Sequence, residues 1–202
     1  DVPEILDALA SGVPVQRLLY KDASGKVCPT ENSIPFYAGQ DRQVLRHCGH
    51  IDPRELEDSV RAGGYRALGL ALAMEPEDVV KAVSDSGLRG RGGGGFPTGI
   101  KWDSCRRAKG KHRFVLANGD EGDPGAFMDR SLMEGDPHSV LEGMIIGAHA
   151  VGARKGFLYV RAEYPLAVEH LNRALVQARE AGLLGRNILG SGLDFDLEVC
   201  RG

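Results

Sequence analysis

Short apolar runs alternate with amphipathic segments over the second half of the 202-residue chain. Helices are predicted from Asp136-Pro137 onward and from Pro165 to Gly182, because apolar residues recur there at helical spacing. Strands separated by such helices form βαβ units, in which a parallel neighbour is reached through a helical crossover. The sequence therefore predicts an α/β fold with a mostly parallel sheet. Three runs have the composition of its buried strands: residues 113–117, 156–161 and 195–199.

The first part of the chain lacks this regularity. Residues 1–51 contain short apolar pieces interrupted by prolines, with one or two helical turns predicted at 5–9 and a strand at 15–20. We interpret residues 1–51 as an irregular N-terminal arm or linker and residues 52–202 as the α/β domain. Three short helices are predicted at the start of that domain, at residues 52–62, 65–73 and 76–86.

Charge, hydropathy and cysteine spacing exclude several classes of protein. The net charge of −3 argues against nucleic acid as a partner. No apolar run approaches the ~20 residues of a membrane helix, so no direct membrane insertion is expected. The four cysteines lie far apart without a C-x-x-C pair, which argues against a disulfide framework and against a metal site in this chain. Reduced thiols predict a cytoplasmic protein, or one peripheral to a membrane complex.

A dense glycine cluster precedes the first predicted strand. Residues 90–95 read Gly-Arg-Gly-Gly-Gly-Gly and satisfy G-x-G-x-x-G, but they follow a predicted helix, whereas the Rossmann fingerprint follows a strand. Consecutive glycines let backbone N–H groups approach a flat or anionic ligand closely. Arg89, Arg91 and Lys101 flank the cluster and could supply positive charge for a phosphate. A flexible surface loop is the alternative, and the aromatic residues and proline of residues 96–102 favour an ordered ligand loop.

Polar residues follow the first predicted strand at its carboxyl end, where open parallel sheets bind ligands. Asn118 offers a hydrogen-bond donor and an acceptor, and the carboxylates of Asp120, Glu121 and Asp123 offer acceptors. These groups could read the edge of a heterocycle or a polyol chain. Calcium is a minority alternative, because the spacing does not follow the EF-hand loop. A plain acidic turn is the third interpretation.

Taken together, the two segments resemble one known family. Residues 86–102 resemble the flavin-binding glycine loop of the NADH-oxidising flavoprotein subunits of respiratory complex I, NAD(P)-reducing hydrogenases and NAD-dependent formate dehydrogenases. Residues 118–130 resemble the second signature of these subunits, and Asp136-Pro137-His138 resembles its continuation. The resemblance runs from about residue 52 to the end of the chain, which stops before the next signature of the family. It therefore implies an N-terminal fragment, truncated at its C-terminus.

The resemblance implies FMN in a Rossmann-like domain and NAD(H) as the substrate that reduces it. Electrons would pass to iron–sulfur clusters, with iron–sulfur subunits of a multi-subunit redox complex as partners and a 4Fe-4S cluster only in the missing C-terminal part. No side chain is expected to be catalytic, because the protein positions and tunes the flavin. By position, Phe96 would stack on the NADH adenine and Asp123 would lie near the nicotinamide nucleotide. The expected FMN contacts are the backbone of Gly90, Gly92, Gly93, Gly94 and Gly95 and the side chains of Arg91, Lys101, Asn118, Asp120 and Glu121.

The chain departs from the family at two glycines, and its sequence also leaves two other functions open. Gly94 and Gly119 stand where the family usually has alanine, and both are small changes expected to loosen the loops without abolishing binding. One alternative is a domain that binds a nucleotide without redox chemistry. Another is an assembly fragment that docks to partner subunits through its N-terminal arm. The choice between NAD and NADP and the final electron acceptor are not determined by the sequence.

Overall fold

The computed structural model describes residues 1–123 and 125–202 and contains two compact units. The first unit comprises residues 1–43 and the second comprises residues 44–202. The assignment of residues 52–202 as the domain that carries the function stays a prediction.

The first unit contains two short helices and a hairpin. Helix α1 spans Val2–Ser11, strands β1 (Tyr20–Lys21) and β2 (Val27–Cys28) pair antiparallel, and α2 spans Pro35–Ala38. The helix predicted at residues 5–9 is therefore confirmed, but the strand at residues 15–20 is wrong. A 3₁₀ turn replaces most of it, because the Leu18 N–H donates to the Val15 carbonyl at 3.0 Å within the turn instead of to a neighbouring strand.

Four helices open the second unit. The three predicted helices are confirmed, although the first begins at Leu56, three residues after Pro53, its predicted first helical residue. The Asp52 carboxylate explains this delay, because it accepts hydrogen bonds from the backbone and guanidinium of Arg54 and so forms a turn. The fourth helix was not predicted from the sequence. The bounds are α3, Leu56–Arg61; α4, Arg66–Leu72; α5, Pro76–Asp85; and α6, Thr98–Arg107.

A three-stranded parallel sheet follows and confirms the predicted fold class. The strand order is the chain order, and Phe114, Lys155 and Asp196 lie in register across the sheet. Of the connecting helices, the first was missed because its eight residues are too few to show a clear periodicity. The bounds are β3, Phe114–Gly119; α7, Met128–Gly135; α8, Pro137–Val151; β4, Lys155–Val160; α9, Pro165–Glu180; and β5, Asp196–Arg201.

Helices α8 and α9 pack on one face of the sheet and form the core with it. Leu141 and Leu171 from these helices and Leu158 and Leu197 from the strands are almost completely buried. Asp136 caps the start of α8 by accepting a hydrogen bond from the Ser139 N–H at 3.3 Å, as the Asp-Pro pair predicts. This packing fixes the positions of the strands from whose carboxyl ends the loops emerge.

A buried polar chain ties α4 to α8 and α9. The Tyr65 hydroxyl lies 2.8 Å from Nδ1 of His138, and Nε2 of His138 lies 3.1 Å from Oε1 of Gln177. Burial lowers the pKa of His138, so the ring is neutral at pH 7 and donates from Nε2 to Gln177.

No helix within residues 1–123 or 125–202 combines the length and the hydropathy needed to cross a membrane.

Candidate functional site

The glycine loop, residues 89–97, is closed by hydrogen bonds at its base. The Gly90 N–H donates to the Phe96 carbonyl at 2.8 Å, and the Thr98 N–H donates to the Leu88 carbonyl at 2.9 Å. The Arg89 guanidinium donates to the Gly95 carbonyl at 3.1 Å, so this arginine serves the loop itself. The loop therefore has a defined conformation that depends on its own backbone.

The helices on either side of the glycine loop correct one part of the sequence interpretation. The loop follows α5, as predicted, and it leads directly into α6 at Thr98. It therefore shares one of the two features of a dinucleotide fingerprint, the helix that it opens, and lacks the preceding strand. The backbone N–H groups at the start of α6 carry the positive end of the helix dipole.

Two glycines of the loop are not explained by the chain's own packing. Gly92 and Gly94 do not adopt positive φ, and a methyl group on either would meet no atom within 4 Å. Gly99 is the opposite case, since a methyl group there would lie 2.7 Å from the Ser84 backbone. The bare surface at Gly92 and Gly94 is therefore available to a group from outside the chain.

Basic side chains near the loop divide into those already used and those available. Arg106 pairs with Glu77, and Arg113 donates to the Cys105 carbonyl at 3.1 Å. Arg91 and Lys101 are exposed and, within the described part of the chain, form neither an ion pair nor a side-chain hydrogen bond. Arg91 lies next to the bare glycines, and Lys101 lies on the first turn of α6, where an anion would also meet the helix N-terminus.

The acidic loop, residues 120–127, follows β3; its Pro124 lies outside the described residues. Asn118 Oδ1 accepts a hydrogen bond from the Asp120 N–H at 3.0 Å and starts the turn. The Glu121 carboxylate accepts from the N–H groups of the first three residues of α7, at 2.7, 3.4 and 3.3 Å, and so caps that helix. Sequence reasoning missed this structural role, because the residues that Glu121 caps are seven to nine positions away.

The remaining acids of this region differ in environment. Asp120 and Asp123 are exposed. Asp129 is partly buried, and this burial, reinforced by the negative charge of Glu121, raises the pKa of its carboxyl above the ordinary value. Among the described residues, no group of three or more histidines, cysteines or acids has the geometry to hold a metal ion.

Arg161 is a residue that sequence reasoning missed. It directly follows β4, and its guanidinium donates to the Glu121 carbonyl of the acidic loop. A sequence signal was present, because Arg161 is a polar residue at the carboxyl end of the strand predicted at residues 156–161. Ligands bind at this edge of a parallel sheet, but the rule was applied only to the polar residues that follow the first predicted strand.

The position of α6 relates the glycine loop to the sheet. Arg113 precedes β3 and donates to the carbonyls of Cys105 and Arg106, so the end of α6 lies at the amino end of that strand. Helix α6 also packs along α8, with Trp102 against Gly147. We infer that the start of α6 and the glycine loop extend toward the carboxyl end of β3, where the acidic loop begins.

An α/β domain with a glycine-rich loop that opens a helix, and a polar loop at the carboxyl edge of a parallel sheet, is typical of the class of nucleotide-binding proteins. Comparison with known families narrows this class. The family described as the Nuo51 FMN-binding domain matches residues 83–202, and the chain belongs to this family. The family resemblance predicted from the two loops is thus confirmed.

Individual relatives agree with this assignment. The chain is 54% identical over 160 residues to the NADP-reducing hydrogenase subunit HndC of Solidesulfovibrio fructosivorans, covering 79% of this chain and 32% of the relative. It is 46% identical over 147 residues to an NADH-quinone oxidoreductase subunit of Aquifex aeolicus, covering 73% and 34%. The crystal structure of an NAD+-reducing NiFe hydrogenase in its H2-reduced state matches with a TM-score of 0.62 and 26% identity, over 100% of this chain and 30% of that one. The chain spans about a third of the length of these proteins.

Proposed function

We propose that this chain is the FMN-binding part of an NAD(P)H-oxidising flavoprotein subunit, an oxidoreductase. The observation that carries the proposal is the bare surface of the glycine loop in a chain of the Nuo51 FMN-binding family. Neither a positive φ nor close internal packing requires glycine at Gly92 or Gly94. The absence of side chains at these two positions is what the close approach of an external planar or anionic group requires.

The glycine loop is proposed to hold the phosphate end of FMN. The backbone N–H groups of residues 91–95 would donate to phosphate oxygens, with Arg91 and Lys101 neutralising their charge. The Gly90 N–H already donates to the Phe96 carbonyl, so Gly90 would contribute only its bare backbone surface. The two side chains suit this role because they are exposed and have no internal partner among the described residues. Phe96 is 56% exposed, so its ring is available to stack on the adenine of NADH.

The polar residues after β3 are proposed to bind the other end of FMN. Asn118 uses its oxygen internally and has its amide N–H groups left to donate. Asp120 is exposed and can accept from a hydroxyl, and Glu121 can accept one more hydrogen bond because a carboxylate has about four lone-pair sites. Asp123 is exposed, and we propose that it lies near the nicotinamide nucleotide, as the family resemblance implies.

Bound FMN would supply the redox chemistry by taking a hydride from NADH and releasing electrons one at a time to iron–sulfur clusters. In this scheme the residues of the chain bind and orient, and none transfers a proton. The clusters would belong to partner subunits of a multi-subunit complex or to further parts of the flavoprotein. The complex would lie in the cytoplasm or at the periphery of a membrane.

Flavin binding is tested first by spectroscopy. Purified chain is mixed with FMN, and flavin fluorescence and absorbance near 450 nm are recorded before and after NADH is added. Changed flavin fluorescence and a flavin band retained with the protein are expected, because bound FMN exchanges bulk water for a protein environment. Bleaching by NADH would extend the result to hydride transfer. A chain that binds no FMN contradicts the proposal for this fragment, and binding of a nucleotide without flavin would favour a non-redox nucleotide-binding domain.

Substitution of Gly92 by valine separates ligand binding from folding. Its φ is not positive and no atom lies within 4 Å, so the free energy of unfolding should change by less than about 0.5 kcal/mol. The branched side chain would block close approach, and FMN affinity should fall by about tenfold or more. Gly143→Val, on the exposed face of α8 with equally open surroundings, is the matched control and should leave affinity unchanged.

A further inference from the structure

The carboxyl edge of the sheet brings Arg161 next to the acidic loop. In the parallel register, Asn118 lies opposite Tyr159 and Gly119 opposite Val160, so Asp120 and Arg161 are the next residues beyond the two strands. The Arg161 guanidinium donates to the Glu121 carbonyl, and its Nε lies 4.0 Å from Oδ1 of Asp120. Arg161 therefore contacts the acidic loop in two ways, by a hydrogen bond to the Glu121 carbonyl and by attraction to the Asp120 carboxylate.

Arg161 is itself held from two further sides. Its Nη2 donates to Oε1 of Glu163 at 3.2 Å, and its guanidinium lies 5.7 Å from the centre of the Tyr164 ring. Tyr164 is 4% exposed, and the Arg130 guanidinium lies 5.3 Å from the same ring. Because Arg130 is on α7, which Glu121 caps, the same cluster fixes both ends of the acidic loop.

We propose that Arg161 is a positioning residue for the flavin site, which sets where the acidic loop presents its side chains to the ligand. It fixes the Glu121 backbone, so that the Glu121 carboxylate caps α7 and the neighbouring Asp120 and Asn118 keep their places at the end of β3. The proposal rests on the proposed function for the ligand, but the ordering of the loop is a property of the ligand-free chain.

The test compares Arg161→Gln with Arg179→Gln. Arg179 makes contacts of the same kind, donating to the Asp196 carboxylate at 3.0 Å and to the Leu197 carbonyl at 2.7 Å, but at the amino end of β5. Amide hydrogen exchange is measured in the ligand-free proteins. Exchange in residues 120–130 should be about tenfold faster in Arg161→Gln, because a charge-assisted hydrogen bond is lost, and unchanged in Arg179→Gln. Equal exchange in the two variants would overturn the proposal.

Titration with FMN is the second measurement. Affinity should fall about tenfold in Arg161→Gln and stay at the wild-type value in Arg179→Gln. Arg161→Lys should give intermediate exchange and affinity, because a lysine keeps the charge but lacks the planar fork that reaches Glu121 and Glu163 together. Unchanged FMN affinity in Arg161→Gln would show that Arg161 has a structural role only and would refute its role as a positioning residue for the flavin site. A wild-type chain that binds no FMN would refute the proposed function, while the exchange measurement would still decide whether Arg161 orders the loop.

Discussion

The glycine loop and the acidic loop both surround the proposed ligand site, yet they are built in opposite ways. In the glycine loop, a methyl group added at Gly92 or Gly94 would meet no atom within 4 Å, and Arg91 has no internal partner among the described residues. In the acidic loop, Glu121 caps a helix and its carbonyl accepts from Arg161. The first loop presents its unusual residues to the outside, whereas the second uses them to hold its own structure.

Because of this difference, loss of ligand affinity can be distinguished from loss of folding stability, which a measurement of activity alone would not separate. Substitutions in the glycine loop should change ligand affinity with little effect on folding, because no internal contact is lost. Substitutions in the acidic loop should change stability and affinity together, because the same groups hold the loop and face the ligand. Three further tests, two of them with a matched variant, examine this contrast, from the largest expected effect to the smallest.

Gly99→Ala should give the largest loss of stability. A methyl group there would lie 2.1 Å from Ser84 Oγ and 2.7 Å from the Ser84 backbone, so α5 and α6 would have to move apart. We expect the free energy of unfolding to fall by about 1–3 kcal/mol, as for other overpacked sites. Chemical denaturation measures this value.

Gly94→Ala is the matched variant from the glycine loop. Its methyl group enters open space without positive φ, so stability should stay the same or rise by about 0.4–1 kcal/mol through the unfolded chain. Equal losses in Gly94→Ala and Gly99→Ala would show that the glycine loop is as tightly packed as the α5–α6 contact and does not present an open surface.

Glu121→Ala should destabilise the protein by about 1 kcal/mol, the usual cost of a lost helix cap. Three N–H groups at the start of α7 would lose their acceptor. Asp123→Ala removes an exposed acid of the same loop and should change stability by less than about 0.5 kcal/mol. Thermal and denaturant unfolding distinguish the two, and a Glu121 variant as stable as the Asp123 variant would refute the cap.

Asp129→Asn should have the smallest effect, with a size that depends on pH. The pKa of Asp129 is raised in the folded state by partial burial and then by Glu121. The folded protein then binds a proton more tightly than the unfolded chain, so stability is lost as the pH rises from the unfolded pKa of about 3.9 through the folded value. The neutral asparagine should therefore stabilise the protein at pH 7.

The melting temperature of Asp129→Asn is compared with that of the wild type between pH 4 and pH 7. The gain should shrink as the pH falls toward 4, because Asp129 becomes protonated first in the folded protein and then in the unfolded chain. A gain that is constant over this range would show that the raised pKa is not its source.

Much of the scaffold could be predicted from local sequence. The Asp136-Pro137 start of α8 and the end of α5 before Gly87 were correct, since caps and prolines act on neighbouring residues. The predictions failed where the decisive contact is not local. The expected strand at residues 15–20 is a turn that closes on itself, and α7 depends on a cap from Glu121 rather than on its own periodicity.

The site shows the same division. The two loops were predicted from composition and from their place after a helix and after a strand, and the family match confirms the resemblance that they carry. The roles of the individual site residues stay predictions. The place of Arg161 at the ligand edge could have been found, but its contact with Glu121 could not, because Glu121 is forty residues earlier and is brought close only by the pairing of β3 with β4.

The sequence by itself determined the α/β class, the parallel strands and the presence of a glycine-rich loop, because periodicity, capping and glycine content act over a few residues. Only the tertiary structure decided which loop glycines are required by internal packing and which charged side chains have internal partners. Gly92 and Gly99 cannot be told apart in the sequence, but the packing of α5 on α6 requires Gly99 and leaves the surface at Gly92 open. Those distinctions depend on distances between elements, which no local pattern encodes.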